Sequence, residues 1–223
     1  AKNLKDYPLN RTNKAEPERN MPKAMNILYA IGDTLYANLT NRCPCSCTFC
    51  IRNESDTVNG HDVLWLEREP AAHEVIEQLR ELDLDSYSEL VFCGYGEPTE
   101  AFDTLKDVAR WVKDNTSLPV RINTNGQGSL INERDITPEL EGIVDSVSVS
   151  LNSPDADEYL ALTRSRFGAD AHPAMLEFAR RAGRHVPTVV LTTVGGTITH
   201  EQERACQELC DDLGVSYRIR PRA

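Results

Sequence analysis

Apolar positions along this chain switch between short runs with a period of two and longer stretches with a helical period. Strand-like runs fall at 35–41, 89–94, 119–125, 146–152, 188–194 and 215–220. Between and after them, apolar spacings of three and four mark helices over 70–83, 101–115, 137–143, 155–163, 171–184 and 200–213. In the first of these helices Ala72, Val75, Ile76, Leu79 and Leu82 share a face. Strands separated by helices predict βαβ units and a parallel sheet. Right-handed crossovers would curl six such units into a full or partial barrel. Ahead of them, NILYA and TLYANLTN flank Ile31-Gly32-Asp33 and predict a hairpin leading into the first core strand. Residues 1–24, with Pro8, Pro17 and Pro22 and no apolar period, predict an extended or disordered arm, leaving 25–223 as one core domain.

Three strands carry a second pattern. Parallel strands are usually covered on both faces and read as continuous apolar runs. Here Val120, Ile122 and Thr124 alternate with Arg121, Asn123 and Asn125; Val147, Val149 and Leu151 with Ser146, Ser148, Ser150 and Asn152; and Val215, Tyr217 and Ile219 with Ser216, Arg218 and Arg220. Side chains alternate faces along a strand, so one face packs under helices while the other lines something wet. A barrel interior holding a polar ligand fits this; an open sheet with one solvated face is the plainer alternative.

Charge sets limits on that ligand's surroundings. The 223 residues carry 24 Lys and Arg against 35 Asp and Glu, a net −11. The first 24 residues hold a local +3, leaving −14 for the rest, which argues against extended nucleic-acid binding. No run approaches the ~18 apolar residues of a membrane span, and no apolar stretch follows a basic start as in a signal peptide. A cytoplasmic protein is the expectation.

Seven cysteines make an odd set for a disulfide framework. Four of them, Cys43, Cys45, Cys47 and Cys50, follow directly on the strand at 35–41, where a barrel gathers its ligands. Crowding of this kind predicts a metal site. Zinc held by all four thiols is one reading, although its loops usually bring together two separated pairs. The other uses the C-x3-C-x2-C formed by Cys43, Cys47 and Cys50. That spacing, followed one strand later by Gly94-Tyr95-Gly96-Glu97-Pro98, resembles the radical S-adenosylmethionine (SAM) superfamily.

The resemblance implies a partial TIM-type (βα)6 barrel of the radical SAM type. It also implies a [4Fe-4S] cluster on Cys43, Cys47 and Cys50, with one iron left for the amino and carboxylate groups of SAM. Cys45 becomes a bystander thiol, with alternative ligation still open. Phe49 would help form the adenine pocket, and the backbone at Gly94, Tyr95, Gly96 and Glu97 would meet the methionyl amino group. Tyr95 stands where the family has glycine. Asn123 matches a position that contacts the cofactor's ribose or carboxylate, with Asn125 following on the same face, and Ser150 and Asn152 resemble a ribose-contacting position. Val194-Gly195-Gly196 would pack near adenine or form a plain turn.

The combination NLTNRC, CTFCIRN, LWLEREP, ELVFCGYGEPTE, RINTNGQ and DITPELEG is most similar to the TatD-associated radical SAM protein family over residues 26–220. The partners this implies are a TatD-type hydrolase and an electron donor such as flavodoxin or ferredoxin. The expected activity is reductive cleavage of SAM to a 5′-deoxyadenosyl radical that abstracts hydrogen from a small-molecule or peptide substrate. An iron-sulfur electron-transfer or sensor protein without SAM cleavage is the alternative.

Substrate signals are thinner. The loop at 51–69, with Arg52, Asn53, His61, Trp65 and Glu67-Arg68-Glu69, is longer than ordinary βα loops and reads as a lid or substrate loop, or else as a surface excursion anchored by Trp65. If Arg121, Arg218 and Arg220 point inward, they form a planar-donor set for carboxylate or phosphate; the alternatives are that part of this charge binds the cofactor's carboxylate, or that Arg218 and Arg220 sit on an exposed final strand. Together with Arg52 they are the candidate substrate residues. Cys206 and Cys210, four apart on a helix, read as core. Cys93, inside an apolar strand, reads as core as well, with a hydrogen-donating thiol as the alternative. His73 and His200 sit near helix starts as surface or capping neighbours.

Overall fold

A computed structural model describes residues 23–53, 55–58 and 62–221, so the predicted arm, apart from Lys23 and Ala24, and His61 lie outside the described residues. The chain opens on strands β1 (Leu28–Ile31) and β2 (Thr34–Ala37), paired antiparallel from Leu28↔Ala37 to Ile31↔Thr34. Gly32 turns between them at φ +61°, a conformation L side chains resist and a two-residue hairpin turn requires.

A small hairpin, β3 (Thr57–Val58) and β4 (Asp62–Val63), precedes helix α1 (Ala72–Arg80). Then come β5 (Glu89–Phe92), α2 (Phe102–Asn115), β6 (Val120–Thr124), the short helix α3 (Gly128–Ile131) and β7 (Ser146–Ser150). Helices α4 (Ala156–Thr163) and α5 (Ala171–Ala182), strand β8 (Thr188–Val194), helix α6 (His200–Leu213) and strand β9 (Ser216–Arg220) complete the order. The main sheet runs β1-β2-β5-β6-β7-β8-β9, parallel from β2 onward, and its two edge strands are not paired to each other. The predicted α/β fold is therefore present, as an open sheet of six parallel strands with the hairpin strand at one edge.

One helix departs from expectation. The 137–143 segment holds only a 3-10 turn over Thr137–Leu140, and α3 is a single turn ahead of it. Asp135 Oδ1 accepts from the Thr137 backbone N–H (3.0 Å) and hydroxyl (2.8 Å), while Pro138 lies inside the turn. Leu140 and Ile143, the apolar positions inside that segment, are buried, Leu140 at the end of the 3-10 turn and Ile143 just past it. Longer helices end cleanly. In α6, Thr199 and Gln202 form a reciprocal cap and Gly214 closes the far end at φ +68°.

The two faces of the sheet differ as the alternation predicted. Leu90, Phe92, Val120, Ile122, Val147, Val149 and Leu191 are almost fully buried against Leu105, Val108, Met175 and Phe178, each such side chain adding about 1.5–3 kcal/mol by burial. Cys206 and Cys210 belong to this core. The opposite, inner face follows from the register: Tyr36 beside Val91, Val91 beside Arg121, Asn123 beside Ser148, Ser150 beside Thr192, Thr192 beside Arg218 and Val194 beside Arg220. Among the described residues no helix is long and apolar enough to cross a membrane.

Candidate iron-sulfur and cofactor site

Beyond Ala37 the chain leaves the sheet and becomes the thiol-bearing loop. Its entry is held by the 64–69 segment: Asn38 Nδ2 donates to the Leu64 carbonyl (2.8 Å), and Asn41 exchanges two hydrogen bonds with the Leu66 backbone. Its middle is clasped by the end of α4. The Ser46 and Thr48 N–H groups donate to the Thr163 and Leu162 carbonyls (both 2.9 Å), and Arg166 N–H donates to the Pro44 carbonyl (2.8 Å). Arg164, in the left-handed region at φ +49°, turns the chain into this clasp.

Cys43, Cys47 and Cys50 are half-buried, whereas Cys45 is buried. The Cys45 sulfur touches those of Cys43 and Cys47 and accepts from Gln127 Nε2 at 3.4 Å and, more weakly, Asn125 Nδ2 at 3.8 Å. Contact with Cys43 draws the Cys45 pKa down, but contact with Cys47 and burial outweigh it and push the thiol up to about 12. Cys43 is likewise raised, by its contact with Cys45 and by burial. Arg52 supplies the local positive charge. Its guanidinium touches Cys50, reaches the Cys45 carbonyl (3.3 Å) and lies 5.7 Å over the Trp65 ring. Burial opposes that charge, and Cys50, Cys43 and Cys47 more than restore it. Arg52 is thus built into the thiol loop and stands apart from the arginines of the inner face.

The Gly94–Pro98 turn abuts the same loop. A Cβ on Gly96 would lie 2.1 Å from the Thr40 carbonyl oxygen, and one on Gly94 would lie 2.1 Å from Asn38 Oδ1, so both glycines are required by close approach. Glu97 N–H donates to the Arg42 carbonyl at 2.8 Å. The Glu97 carboxylate is buried and accepts from Thr99 N–H (3.2 Å), Thr99 Oγ1 (2.8 Å), Thr124 Oγ1 (2.7 Å) and Asn125 N–H (2.7 Å). Burial raises its pKa and these four bonds oppose the rise. Its side chain therefore ties the turn to the end of β6, leaving only backbone to face a ligand. Tyr95, the departure from the glycine pattern, points away: its hydroxyl donates to the Ser55 carbonyl (2.7 Å) and its ring meets Trp65 edge-on at 5.1 Å. With Tyr29 and Leu64 these rings form a second small core. Trp65 is therefore packed as an anchor of the 51–69 segment.

The strand ends carry the remaining candidates. Asn123 stands on the inner face, where its Oδ1 accepts from Arg121 Nη1 (2.8 Å). Asn125 lies past the strand and its side chain turns to Cys45 and the Gln127 N–H (2.8 Å), so the two asparagines part company. Ser150 is half-buried on the inner face. Asn152 adopts φ +62°, is 3% exposed, and keeps its Oδ1 buried without a partner. Phe49 is half-buried beside Cys50. Gly195 N–H donates to the Arg220 carbonyl, joining the Val194–Gly196 turn to β9.

Cys93 requires a correction. It lies outside the helix-side core, on the inner face, where its sulfur meets Asn123 and feels the charges of Arg220 and Arg121. Gln127, the last residue of RINTNGQ, had no role assigned from the sequence. Fully buried, it donates to Cys45 and to the Tyr159 hydroxyl (2.9 Å) and accepts from Ser165 Oγ (2.7 Å), a network assembled from three distant segments. Tyr36, stacked on Tyr29 at 5.1 Å, is a further inner-face residue that sequence reasoning passed over.

The chain matches the family model described as Radical SAM superfamily over residues 37–209, and it belongs to that superfamily. Its fold is similar to Streptococcus suis SuiB bound to precursor peptide SuiA (16% identity, TM-score 0.64, covering 88% of this chain and 40% of that one). It is also similar to a radical SAM methyltransferase from Sphaerobacter thermophilus (17%, 0.58, covering 87% and 57%) and to methylornithine synthase, PylB (15%, 0.54, covering 85% and 53%). The chain thus spans about 40–57% of the length of these structures. No curated protein matches it.

The residues fit the groups that the superfamily uses. Three half-buried thiols with a guanidinium among them suit an anionic thiolate-bound cluster. The orphaned Asn152 Oδ1 at a strand end suits a hydroxyl donor such as a ribose.

Proposed function

We propose that this chain is a radical SAM enzyme acting on an anionic small molecule or peptide. When bound, the cluster and SAM supply reductive cleavage of the sulfonium to a 5′-deoxyadenosyl radical that abstracts hydrogen from the substrate. Cys43, Cys47 and Cys50 hold the cluster, and Arg52 offsets thiolate charge beside them. The backbone at 94–97 receives the methionyl end of SAM, Phe49 flanks adenine, and Asn123, Ser150 and Asn152 take ribose or carboxylate contacts. The observation carrying this reading is the junction of thiol loop and glycine turn, fixed by the Glu97 N–H to Arg42 carbonyl bond at the C-terminal ends of β2 and β5.

Within the superfamily we assign the chain to the TatD-associated group on the motifs from NLTNRC to DITPELEG. A TatD-type hydrolase and a flavodoxin- or ferredoxin-like donor are then its partners. We assign it to the cytoplasm, a setting that suits seven free thiols. After anaerobic reconstitution with iron and sulfide, reduced protein given SAM is expected to release 5′-deoxyadenosine. Neither release nor SAM binding would leave the electron-transfer or sensor reading in its place.

A further inference from the structure

We propose that Arg218 and Arg220, on the inner face of β9, form the subsite that grips an oxyanion group of the substrate, a carboxylate or a phosphate. The inference deepens the proposed function and rests on it for treating the inner face as the substrate side.

Three arginines occupy this face, but their situations differ. Arg121 is already neutralised: its Nε and Nη2 form a two-point pair with the Glu89 carboxylate at 2.9 and 2.6 Å, and Nη1 goes to Asn123. Neither Arg218 nor Arg220 has a hydrogen-bond or ion-pair partner for its guanidinium among the described residues, but Arg218 is exposed to water and only Arg220 is covered. Arg220 is the sharper case, because its Nε is buried and unsatisfied.

Among the described residues the ionisable groups that Arg220 feels are Cys93, Arg218 and Arg121, and none of them is a carboxylate. Burial and the two neighbouring arginines depress its pKa. A covered guanidinium without a counter-ion is unfavourable until an anion supplies one. Geometry suits that anion. Positions 218 and 220 share a face about 6.6 Å apart along the strand, opposite Thr192 and Val194, and a guanidinium fork donates two parallel bonds to an oxyanion. Asn123 and the Cys93 thiol border the same space.

The test uses inorganic phosphate and malonate as probes at constant ionic strength, with the reconstituted full chain. Wild type is expected to show a saturable rise in melting temperature with at least one of them, and the stronger probe identifies the group. In Arg220→Gln and Arg218→Gln the apparent affinity should fall about tenfold or more, while the exposed Arg110→Gln on α2 retains it. Without anion, Arg220→Gln should melt no lower than wild type, since it removes an uncompensated charge. No saturable rise in wild type, or an undiminished response in Arg220→Gln, overturns the subsite. So does a parallel tenfold loss of SAM affinity in Arg220→Gln, which would give the guanidinium to the cofactor's carboxylate. Anion binding intact with no 5′-deoxyadenosine release would instead overturn the proposed reaction and leave the subsite standing.

Discussion

The thiol loop and the last strand flank the same sheet and are finished in opposite ways. In the loop the charged and amide side chains are satisfied from within, Arg52 by thiols and carbonyls, Glu97 by four donors and Gln127 by three partners, with Asn38 Oδ1 at its entry as the exception. On β9 the buried Arg220 Nε stands without a partner among the described residues, beside the exposed Arg218. Internal satisfaction makes the loop a rigid frame, since breaking any bond leaves a buried group unpaired. Lack of satisfaction marks where a ligand completes the structure. The contrast also separates Arg121 from Arg220, which share a face and a residue type and differ only in what meets them.

The largest effect expected at the loop is all-or-none. Alanine at Cys43, Cys47 or Cys50 should reduce bound iron after reconstitution to background. Cys45→Ala should keep its iron but lose about 1–3 kcal/mol of stability, because the Gln127 amide loses an acceptor. Iron lost equally from Cys45→Ala would make that sulfur a ligand and erase the distinction between frame and metal site.

Glu97→Ala comes next. It strips the partner from two backbone N–H groups and two hydroxyls in a buried setting, and denaturant titration should show a loss of about 3–5 kcal/mol. A loss below about 1 kcal/mol would mean that water replaces the carboxylate and that the turn is looser than its bonding implies. Gly96→Ala is milder. Its new Cβ must displace the Thr40 carbonyl from 2.1 Å, an overpacking cost of about 1–3 kcal/mol that should appear as a lower melting temperature.

The same contrast explains what sequence could and could not show. The parallel sheet and the inner-face arginines were legible because period-two alternation is a local property of 119–125, 146–152 and 215–220. Cys93 was misplaced because its strand reads Leu90-Val91-Phe92, buried on both faces, so no alternation reveals where the next side chain points. The 137–143 segment holds a 3-10 turn and not a helix because, although Leu140 and Ile143 keep helical spacing, Asp135 and Pro138 settle the backbone otherwise. The role of Gln127 was invisible because Cys45, Tyr159 and Ser165 lie 82, 32 and 38 residues away. Pairing of that kind is a tertiary fact with no sequence period.

The smallest expected effect tests the satisfied side of the comparison at the surface. Glu177 lies between Arg180 and Arg181, whose hydrogen bonds hold its carboxyl at about 2. A depressed carboxylate pKa contributes stability that is present above the unfolded value near 4.5 and lost as pH falls toward 2. Wild type should therefore lose melting temperature more steeply than Glu177→Gln between those limits, and the gap should narrow at high salt because the pair is exposed. Identical slopes would show that these guanidinium groups gain nothing from a fully formed partner in water. The contrast with Arg220 would then rest on burial alone, because only a covered cation makes the absence of an anion costly.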